Sequence, residues 1–233
     1  MNIISILILL ATTSPSLPTY TATRTVSPIT IDGILDEQNW KQAPWTTDFI
    51  NILGSSHPAP LHRTRCKVLW DDATLYIAAE LQDTDIRALM RKRNDPLWQE
   101  NCFEIFIDPD GDGQNYWEIG VNALNTTYDL QMPKPYDQGG KPAPGRHLPN
   151  LKTAVQVTGT LNDPKARDQK WTIEVAIPFA DLGITPRAGE TWRINFARML
   201  YPTPRDPQYA SWSAMGEINF HIPSNFGHVT FAR

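Results

Sequence analysis

Apolar and polar side chains alternate with a period of two along most of the chain from about residue 21 onward. Successive side chains of a β-strand point to opposite faces, so this alternation, interrupted by Pro, Gly, Asn and Asp, predicts an antiparallel β protein. The predicted strands lie at 25–31, 64–70, 75–82, 102–108, 116–122, 127–132, 151–161, 170–177, 191–200, 218–221 and 228–231. So many short strands favour two packed sheets, and we predict an all-β, jelly-roll-like β-sandwich of about 10–11 strands.

Helix is predicted only as short turns. Three are expected: one capped by Asp36 and ending at Trp40, one over 86–93 capped by Asp85, and one over 179–182 ended by Gly183. Polar stretches between apolar runs predict hairpin turns at 70–74 and 108–113. Since no linker or internal repeat divides the chain, we expect one folded domain over 19–233.

Two neighbouring predicted strands place polar side chains on one face. Strands 102–108 and 116–122 each have one uniformly apolar set of alternate residues, which belongs in the core. Glu104, Glu118 and Asn122 then lie together on the opposite face. Carboxylates and amides bind hydroxyl groups, and an aromatic ring such as that of Trp98 covers the apolar face of a sugar. This face is a candidate sugar-binding surface, with an ordinary solvated sheet face as the alternative.

Composition narrows the range of functions. The 233 residues are 41% hydrophobic and 20% charged, which suits one globular core. The formal net charge of −4 lacks the basic excess that DNA or RNA binding needs, so we expect no nucleic-acid partner. The eight tryptophans indicate flat apolar contacts, although Trp40, Trp171 and Trp192 are expected to pack in the core.

The start of the chain predicts export. Residues 3–11 form an apolar run too short to span a bilayer, followed by small and turn-forming residues. This pattern predicts a signal peptide over 1–18, with a buried N-terminal strand as the alternative because no Lys or Arg precedes the run. We expect a secreted, monomeric protein, periplasmic or extracellular, with no membrane span. In that compartment Cys66 and Cys102 either form a disulfide or remain buried thiols.

Two sets of carboxylates are candidates for binding a metal ion. Asp108, Asp110 and Asp112 match the first half of a calcium loop, but the glutamate of the second half is missing, so a polar hairpin turn explains them better. A second candidate for structural calcium is the set Asp32, Asp36 and Asp83 or Asp85. The histidines show no zinc-binding spacing, and phosphate-loop and nucleophile-elbow motifs are lacking, so no organic cofactor is expected.

The chain carries seven segments in this order: IDGILDEQNW, KVLWDDATLYIAAELQDTDI, NDPLWQENCFEIFIDPDGDG, NYWEIGVNALNTTYDL, WTIEVAIPFADLG, TWRINFAR and WSAMGEINFHIPSNFGHVTF. Together they resemble the family 9 carbohydrate-binding modules, in particular their stand-alone, secreted bacterial relatives. The resemblance extends from about Val26 to Phe231. It implies a two-sheet β-sandwich, non-catalytic binding of polysaccharide or oligosaccharide of the xylan or cellulose type, and bound calcium.

The resemblance also implies a site in which a sugar end lies between two tryptophans. Trp98 matches the first tryptophan and Glu104 the acidic residue after it, while Glu118 and Asn122 fall at polar contact positions. Phe220, or its neighbour His221 as the alternative, stands where the second tryptophan is expected. Trp212 is a further candidate for an aromatic wall, with a core position as the alternative.

The sequence departs from the sugar-binding modules at one contact position, and two functions other than sugar binding stay open. Gly120 replaces a contact arginine of the sugar-binding modules, and Arg146 and Arg198 are candidate replacement donors. The spacing of Glu104 and Glu118 also suits a glycoside hydrolase. Related sandwiches bind haem, for which the candidate ligands are the histidines together with Met90, Met132 and Met199.

Overall fold

The computed structural model of the protein describes residues 16–203 and 206–233. The apolar run of the predicted signal peptide lies outside these residues, so the signal peptide stays a prediction. None of the helices in the described part of the chain is long and apolar enough to cross a membrane.

The all-β prediction is confirmed. Within the described residues the strands are β1 (Thr19–Arg24), β2 (Ile50–Asn51), β3 (Thr64–Trp70), β4 (Thr74–Gln82), β5 (Cys102–Asp108), β6 (Tyr116–Asn122), β7 (Thr127–Met132), β8 (Lys152–Thr158), β9 (Lys170–Pro178), β10 (Thr191–Leu200), β11 (Gln208–Ser211) and β12 (Gly227–Phe231). The helices are α1 (Gln38–Gln42) and α2 (Phe179–Leu182), with 3₁₀ turns at Leu97–Gln99, Tyr136–Gln138 and Pro223–Asn225. Helix is therefore limited to short pieces between strands.

The strands form two sheets that share β1. The first sheet has the order β7-β6-β5-β10-β12-β1, and β11 continues it from the end of β10 and pairs with β2. The second has the order β1-β3-β4-β9-β8. The first four residues of β1 pair with β12 and its last two pair with β3, in both cases in parallel, whereas the other pairings are antiparallel. The antiparallel prediction is thus correct except at β1.

Both predicted hairpins are present. Trp70 pairs with Leu75 across the β3–β4 turn, in which the Asp71 carboxylate accepts hydrogen bonds from the N–H groups of Ala73 and Thr74. Such a bond from an Asp side chain to the following backbone stabilises a tight turn. The β5–β6 hairpin loop lies between Asp108 and Tyr116.

The main core lies between the two sheets and the outer face of the first sheet carries a second, smaller apolar cluster. Phe103, Ile105 and Ile107 of β5 belong to the main core, as the alternation predicts. Cys102 and Phe106 belong to the second cluster on the opposite face. Cys66 lies in the main core, and both thiols are free and buried, so the two cysteines form no disulfide.

Three predicted elements are wrong. Residues 25–31 form no strand, because the Thr25 hydroxyl turns the chain by bonding Ser27 and Pro28 has no N–H for a ladder. Residues 218–221 form a loop, in which the Asn219 side chain accepts a hydrogen bond from the His221 N–H.

Residues 86–93 form no helix. The N–H of Ile86 donates to Asp168, that of Ala88 to Asn162 and that of Leu89 to Glu100. Because side chains from other parts of the chain accept hydrogen bonds from these N–H groups, they are not available for helical backbone bonds.

Candidate functional site

Glu104 and Glu118 lie on the same outer face of the first sheet. Glu104 of β5 stands opposite Gly120 of β6, and Glu118 of β6 stands opposite Phe106 of β5. The two glutamates are therefore diagonal neighbours across one strand pair, a position in which long side chains reach each other. Both are buried, with 1% and 5% of their surface exposed.

Tyr128 of β7 joins the two carboxyl groups. Its hydroxyl forms hydrogen bonds with Glu104 Oε1 and, at 2.6 Å, with Glu118 Oε1. Tyr128 pairs with Gly120 across β6 and β7, and a Cβ atom at Gly120 would lie 2.0 Å from Tyr128 Cε1. The missing side chain at Gly120 thus makes room for the tyrosine ring, which fills the space beside the two glutamates.

The carboxyl pair lies in an environment that disfavours negative charge. Burial, followed by the charge of Glu118, raises the pKa of Glu104 well above its usual value. Burial raises the pKa of Glu118 to about 7, against the opposing effect of the Tyr128 hydrogen bond. Because like charges in a poorly solvated site repel each other, the pair holds a proton near neutral pH.

His221 also lies against Glu118. Its Nε2 lies 3.5 Å from Glu118 Oε2, and its Nδ1 forms a 2.8 Å hydrogen bond with the Tyr116 hydroxyl. Burial lowers the pKa of His221 to about 4, so the ring is neutral at pH 7. Glu118 Oε2 is buried and has no hydrogen-bond partner among the described residues.

A cavity of about 540 Å³ opens above this cluster. Glu104 and Glu118 contribute to its lining. Half of the other lining residues carry aromatic rings: Trp98, Tyr136, Tyr201, Tyr209, Phe220 and His221. A largely apolar concavity with a few convergent polar groups has the character of a small-ligand site.

Trp98 borders this cavity from the 3₁₀ turn Leu97–Gln99. Leu97 is fully buried and anchors the turn, whereas 45% of the Trp98 surface is exposed. The Trp98 ring meets the Tyr128 ring edge to face, with centroids 5.5 Å apart. The Tyr201 hydroxyl donates a 2.8 Å hydrogen bond to the Trp98 carbonyl and fixes the turn from the other side. The indole is thus exposed but held in position.

The predicted site residues separate into two groups. Trp98, Glu104, Glu118 and Phe220 all line the cavity, where Phe220 stacks on Phe106. Asn122 and Trp212 do not.

The structure assigns Asn122 and Trp212 to other roles. The Asn122 amide donates to the Met90 carbonyl and to Glu100, and its oxygen accepts from two N–H groups of the following turn, so no bonding capacity is left for a ligand. Trp212 is buried in the main core against Phe196, which corrects its candidacy as an aromatic wall. Trp40, Trp171 and Trp192 are buried as predicted.

Sequence reasoning missed the cavity residues Tyr136, Tyr201 and Tyr209, and above all Tyr128, which bonds both glutamates. Tyr128 lies in a predicted strand, but the identity of its neighbours depends on the β6–β7 register. Gly120 was the available signal, because a glycine inside a strand often marks a close approach by another group.

The candidate arginine donors are also engaged elsewhere. Arg198 is buried and donates to Asp83 Oδ2, Thr64 and the Gln82 carbonyl. Arg146 donates to the Gln131 side chain on the surface. Among the described residues that line the cavity, there is no lysine or arginine.

The carboxylates predicted to bind calcium are not assembled into one site. Asp83 is ion-paired with Arg198 at 2.8 Å, while Asp32 and Asp36 are exposed, and the described residues bring no such acidic group together. The three acidic residues that do converge are Asp108, Asp110 and Asp112, whose carboxylate oxygens lie within 4.8 Å of one another.

The β5–β6 loop has a donor set that fits calcium. Carboxylate oxygens are the hard ligands that this ion prefers. Burial raises the pKa of Asp108 to about 6, although the N–H groups of Gly113 and Gly111 donate to it, and the nearby Asp110 and Asp112 carboxylates add to the rise. A bound cation would relieve this crowding of negative groups.

The model of the carbohydrate family 9 binding domain-like family matches residues 31–233, which is most of the chain. The protein belongs to this family. The family resemblance read from the sequence is thereby confirmed.

Two curated relatives of this family 9 protein illustrate how its domain occurs. A protein called "Extracellular protein" from Arthroderma benhamiae is 27% identical over 199 residues, covering 81% of this chain and 87% of the relative. Endo-1,4-beta-xylanase A from Thermotoga maritima is 25% identical over 201 residues, covering 85% of this chain but only 16% of the xylanase. The chain thus spans a small part of the enzyme.

Solved structures share the fold of the family 9 protein. A family 9 carbohydrate-binding module from Caldicellulosiruptor kristjanssonii in complex with cellotriose has a TM-score of 0.65 at 19% identity, covering 92% of this chain and 93% of the other. A putative carbohydrate-binding protein from Bacteroides uniformis has a TM-score of 0.73 at 17% identity, covering 93% and 100%. At these identities the likeness establishes the β-sandwich fold.

Proposed function

We propose that the protein binds the ends of polysaccharides or oligosaccharides without cleaving them, as a secreted component of carbohydrate breakdown. The observation that carries this proposal is the cavity that combines an exposed, fixed Trp98 with the buried Glu104 and Glu118 in a member of a carbohydrate-binding family. The relatives named extracellular protein and xylanase support a place outside the cell and glycans of the xylan or cellulose type. The solved relatives with cellotriose and glucose support an oligosaccharide or a single sugar ring as ligand.

Each wall of the cavity has a role in this binding. The exposed face of Trp98 stacks on the apolar face of a sugar ring, while the carboxyl groups of Glu104 and Glu118 accept hydrogen bonds from hydroxyl groups or, when protonated, donate one. Phe220 provides a second aromatic surface of smaller area. A depression of about 230 Å³ shares Gln99 and Tyr201 with the cavity and offers room for the continuing chain.

Isothermal titration with xylo- and cello-oligosaccharides tests the site. We expect Trp98→Ala to weaken binding about tenfold or more, because stacking and its buried area contribute at least ~1.4 kcal/mol. Trp45→Ala is the matched control, since Trp45 is a partly exposed tryptophan that packs against Arg65 and Lys67 of β3 rather than lining the cavity. Unchanged affinity in Trp98→Ala would contradict the assigned site.

The geometry favours binding over glycoside hydrolysis. A hydrolase needs the scissile bond between its two carboxyl groups. Here the Tyr128 hydroxyl bonds to both Glu104 and Glu118 and fills the space between them. We expect no release of reducing sugar from a glycan panel at high protein concentration, and release that disappears in Glu104→Gln would support an enzyme instead.

Haem binding has weaker support. Met199 and His221 both line the cavity. One ring nitrogen of His221 bonds the Tyr116 hydroxyl and the other faces Glu118, so neither ring nitrogen is directed at a haem iron. Met132 is completely buried. Reconstitution with haem is expected to give no Soret band.

We further propose that the β5–β6 loop binds a structural calcium ion through Asp108, Asp110 and Asp112. A ligand that binds only the folded state raises stability with its concentration. Thermal unfolding in excess calcium is therefore expected to occur at higher temperature than in chelator. The Asp110→Asn/Asp112→Asn double variant should abolish the calcium-dependent difference, and an equal response in the variant would place the ion elsewhere.

A further inference from the structure

The cavity holds two acidic groups for which the described residues provide no positive partner. Glu104 and Glu118 are both nine-tenths or more buried. Neither forms an ion pair with a lysine or arginine of the described chain, and none of those residues lines the cavity. A buried carboxylate is costly unless it is paired or protonated.

The neutral groups around the pair cannot supply the missing charge. Tyr128 has one hydroxyl proton for two carboxyl groups, so it satisfies one oxygen while the other carboxyl must carry a proton of its own. His221 is neutral and already bonded to Tyr116. Glu118 Oε2 is left without a hydrogen-bond donor. The free protein therefore compensates the charge with a proton, which a cationic ligand would replace.

We propose that the preferred ligand of this cavity is a sugar with a free amino group, whose ammonium pairs with Glu104 and Glu118. The inference rests on the proposed function, carbohydrate binding at this cavity, and narrows its substrate class. Deacetylated amino sugars have the same ring for stacking on Trp98 as neutral hexoses but bring the positive charge that the site lacks.

The aromatic walls add to this preference. Ammonium groups are attracted to the faces of aromatic rings, most strongly where water is excluded. Trp98, Tyr136, Tyr201, Tyr209 and Phe220 surround the space in front of the carboxyl pair. An ammonium group inside this cavity therefore gains both from the carboxylates and from the ring faces, whereas a hydroxyl group gains a single hydrogen bond.

The preference is measurable by titrating three ligands of equal length. Fully deacetylated chitotriose, its N-acetylated form and cellotriose differ at carbon 2 only. We expect the deacetylated trisaccharide to bind about tenfold more tightly than the other two, as charge-assisted pairs are stronger than neutral hydrogen bonds.

Proton exchange gives a second, independent readout. At about pH 6 a sugar amine is already protonated, since amino groups of this kind titrate nearer 8. Binding of the ammonium then expels the proton shared by the carboxyl pair into the buffer. Titrations in two buffers with different ionisation enthalpies are expected to show net proton release for the deacetylated ligand and none for cellotriose.

Substitutions assign the preference to the carboxyl pair. Glu118→Gln keeps the size of the side chain but removes one charge, and should weaken binding of the deacetylated ligand; Glu104→Gln/Glu118→Gln removes both charges and should bring its affinity close to that of cellotriose. Asp72→Asn is the charge-matched control, because this exposed carboxylate lies in the β3–β4 turn of the other sheet. Circular dichroism and urea unfolding check that all three variants are folded.

The outcomes separate the two proposals. Equal or tighter binding of cellotriose, with no proton release for the amine, overturns the amino-sugar inference and leaves the proposed function standing. Failure of every glycan in the panel to bind the folded protein overturns both. Tight binding of the deacetylated ligand that survives in Glu104→Gln/Glu118→Gln also overturns the inference, because the charge that attracts the ammonium then lies outside the carboxyl pair.

Discussion

A single pair of residues, Gly120 and Tyr128, sets the packing around the two buried glutamates. The tyrosine ring lies directly over the glycine on the outer face of the first sheet, so the two residues fit only as a combination. From this position the hydroxyl reaches both Glu104 and Glu118. An ordinary side chain at 120 would lift the ring and separate the phenol from the acid pair.

Gly120→Ala is therefore expected to destabilise the protein by ~1–3 kcal/mol, the usual cost of overpacking a close-packed site. The added Cβ atom would lie 2.0 Å from Tyr128 Cε1. Urea unfolding of Gly120→Ala, Tyr128→Ala and the double variant forms a double-mutant cycle. If the ring is the cause, the alanine costs much less in the Tyr128→Ala background; an equal cost in both backgrounds contradicts this explanation.

At this scale the sequence predicts what strand alternation determines. Glu104 and Glu118 could be placed together because the apolar residues of β5 and β6 assign every side chain to a face. Asn122 lies on the same two strands, yet its amide bonds the Met90 carbonyl and Glu100. Met90 and Glu100 lie in an irregular segment whose position depends on tertiary contacts. The alternation of apolar and polar residues in the strands therefore could not predict these hydrogen bonds.

Strands and helices, too, are predictable from sequence where local pattern determines them and not where tertiary contacts do. The strands of the two hairpins were predicted because local pattern and turn chemistry agree, whereas 86–93 was assigned to a helix from one capping residue. In the structure its N–H groups bond side chains far away in the sequence. The strand β1 was misplaced because Thr19–Arg24 is buried at only two alternate positions, Tyr20 and Ala22, and its pairing with β3 and β12 is parallel.

A buried ion pair connects elements of the two sheets. Arg198 of β10 donates to Asp83, which follows β4, and also to Thr64 of β3. Both charged residues are about 2% exposed. Removal of one member of such a pair leaves the other charge buried without a partner.

We expect Asp83→Asn to lower the free energy of unfolding by about 3–5 kcal/mol, measured with urea. Arg198→Met in combination with Asp83→Leu should recover much of this loss, because neither charge then remains. Asp72→Asn breaks the exposed pair with Arg24 and should change stability little. A loss in Asp83→Asn no larger than in Asp72→Asn would argue that the buried pair is energetically unimportant.

The whole molecule should respond to pH through its buried titratable groups. The pKa of Glu118 is raised from 4.5 to about 7 and that of Glu104 is raised well above 4.5. The folded state therefore binds more protons than the unfolded state. The stability that the protonated Glu104 and Glu118 contribute is lost as pH rises through their folded-state pKa values. His221 acts in the opposite direction: its pKa falls from 6.5 to about 4, so its unfavourable contribution is confined to pH below about 6.5.

The opposing effects meet near pH 6.5. Above that pH the slope is set by the buried carboxyl groups Glu104, Glu118 and Glu174, because burial raises the pKa of Glu174 to about 7 as well, while the thiols and phenols titrate at higher pH. We expect the free energy of unfolding to fall by an order of ~1 kcal/mol or more between about pH 6.5 and 8. Glu118→Gln should flatten this decline, because it removes one titration and, by removing a like charge, brings the pKa of Glu104 towards its normal value. Stability that stays constant or rises over this interval in the unmodified protein would mean that the acid pair is already ionised and that a cation compensates it within the free protein.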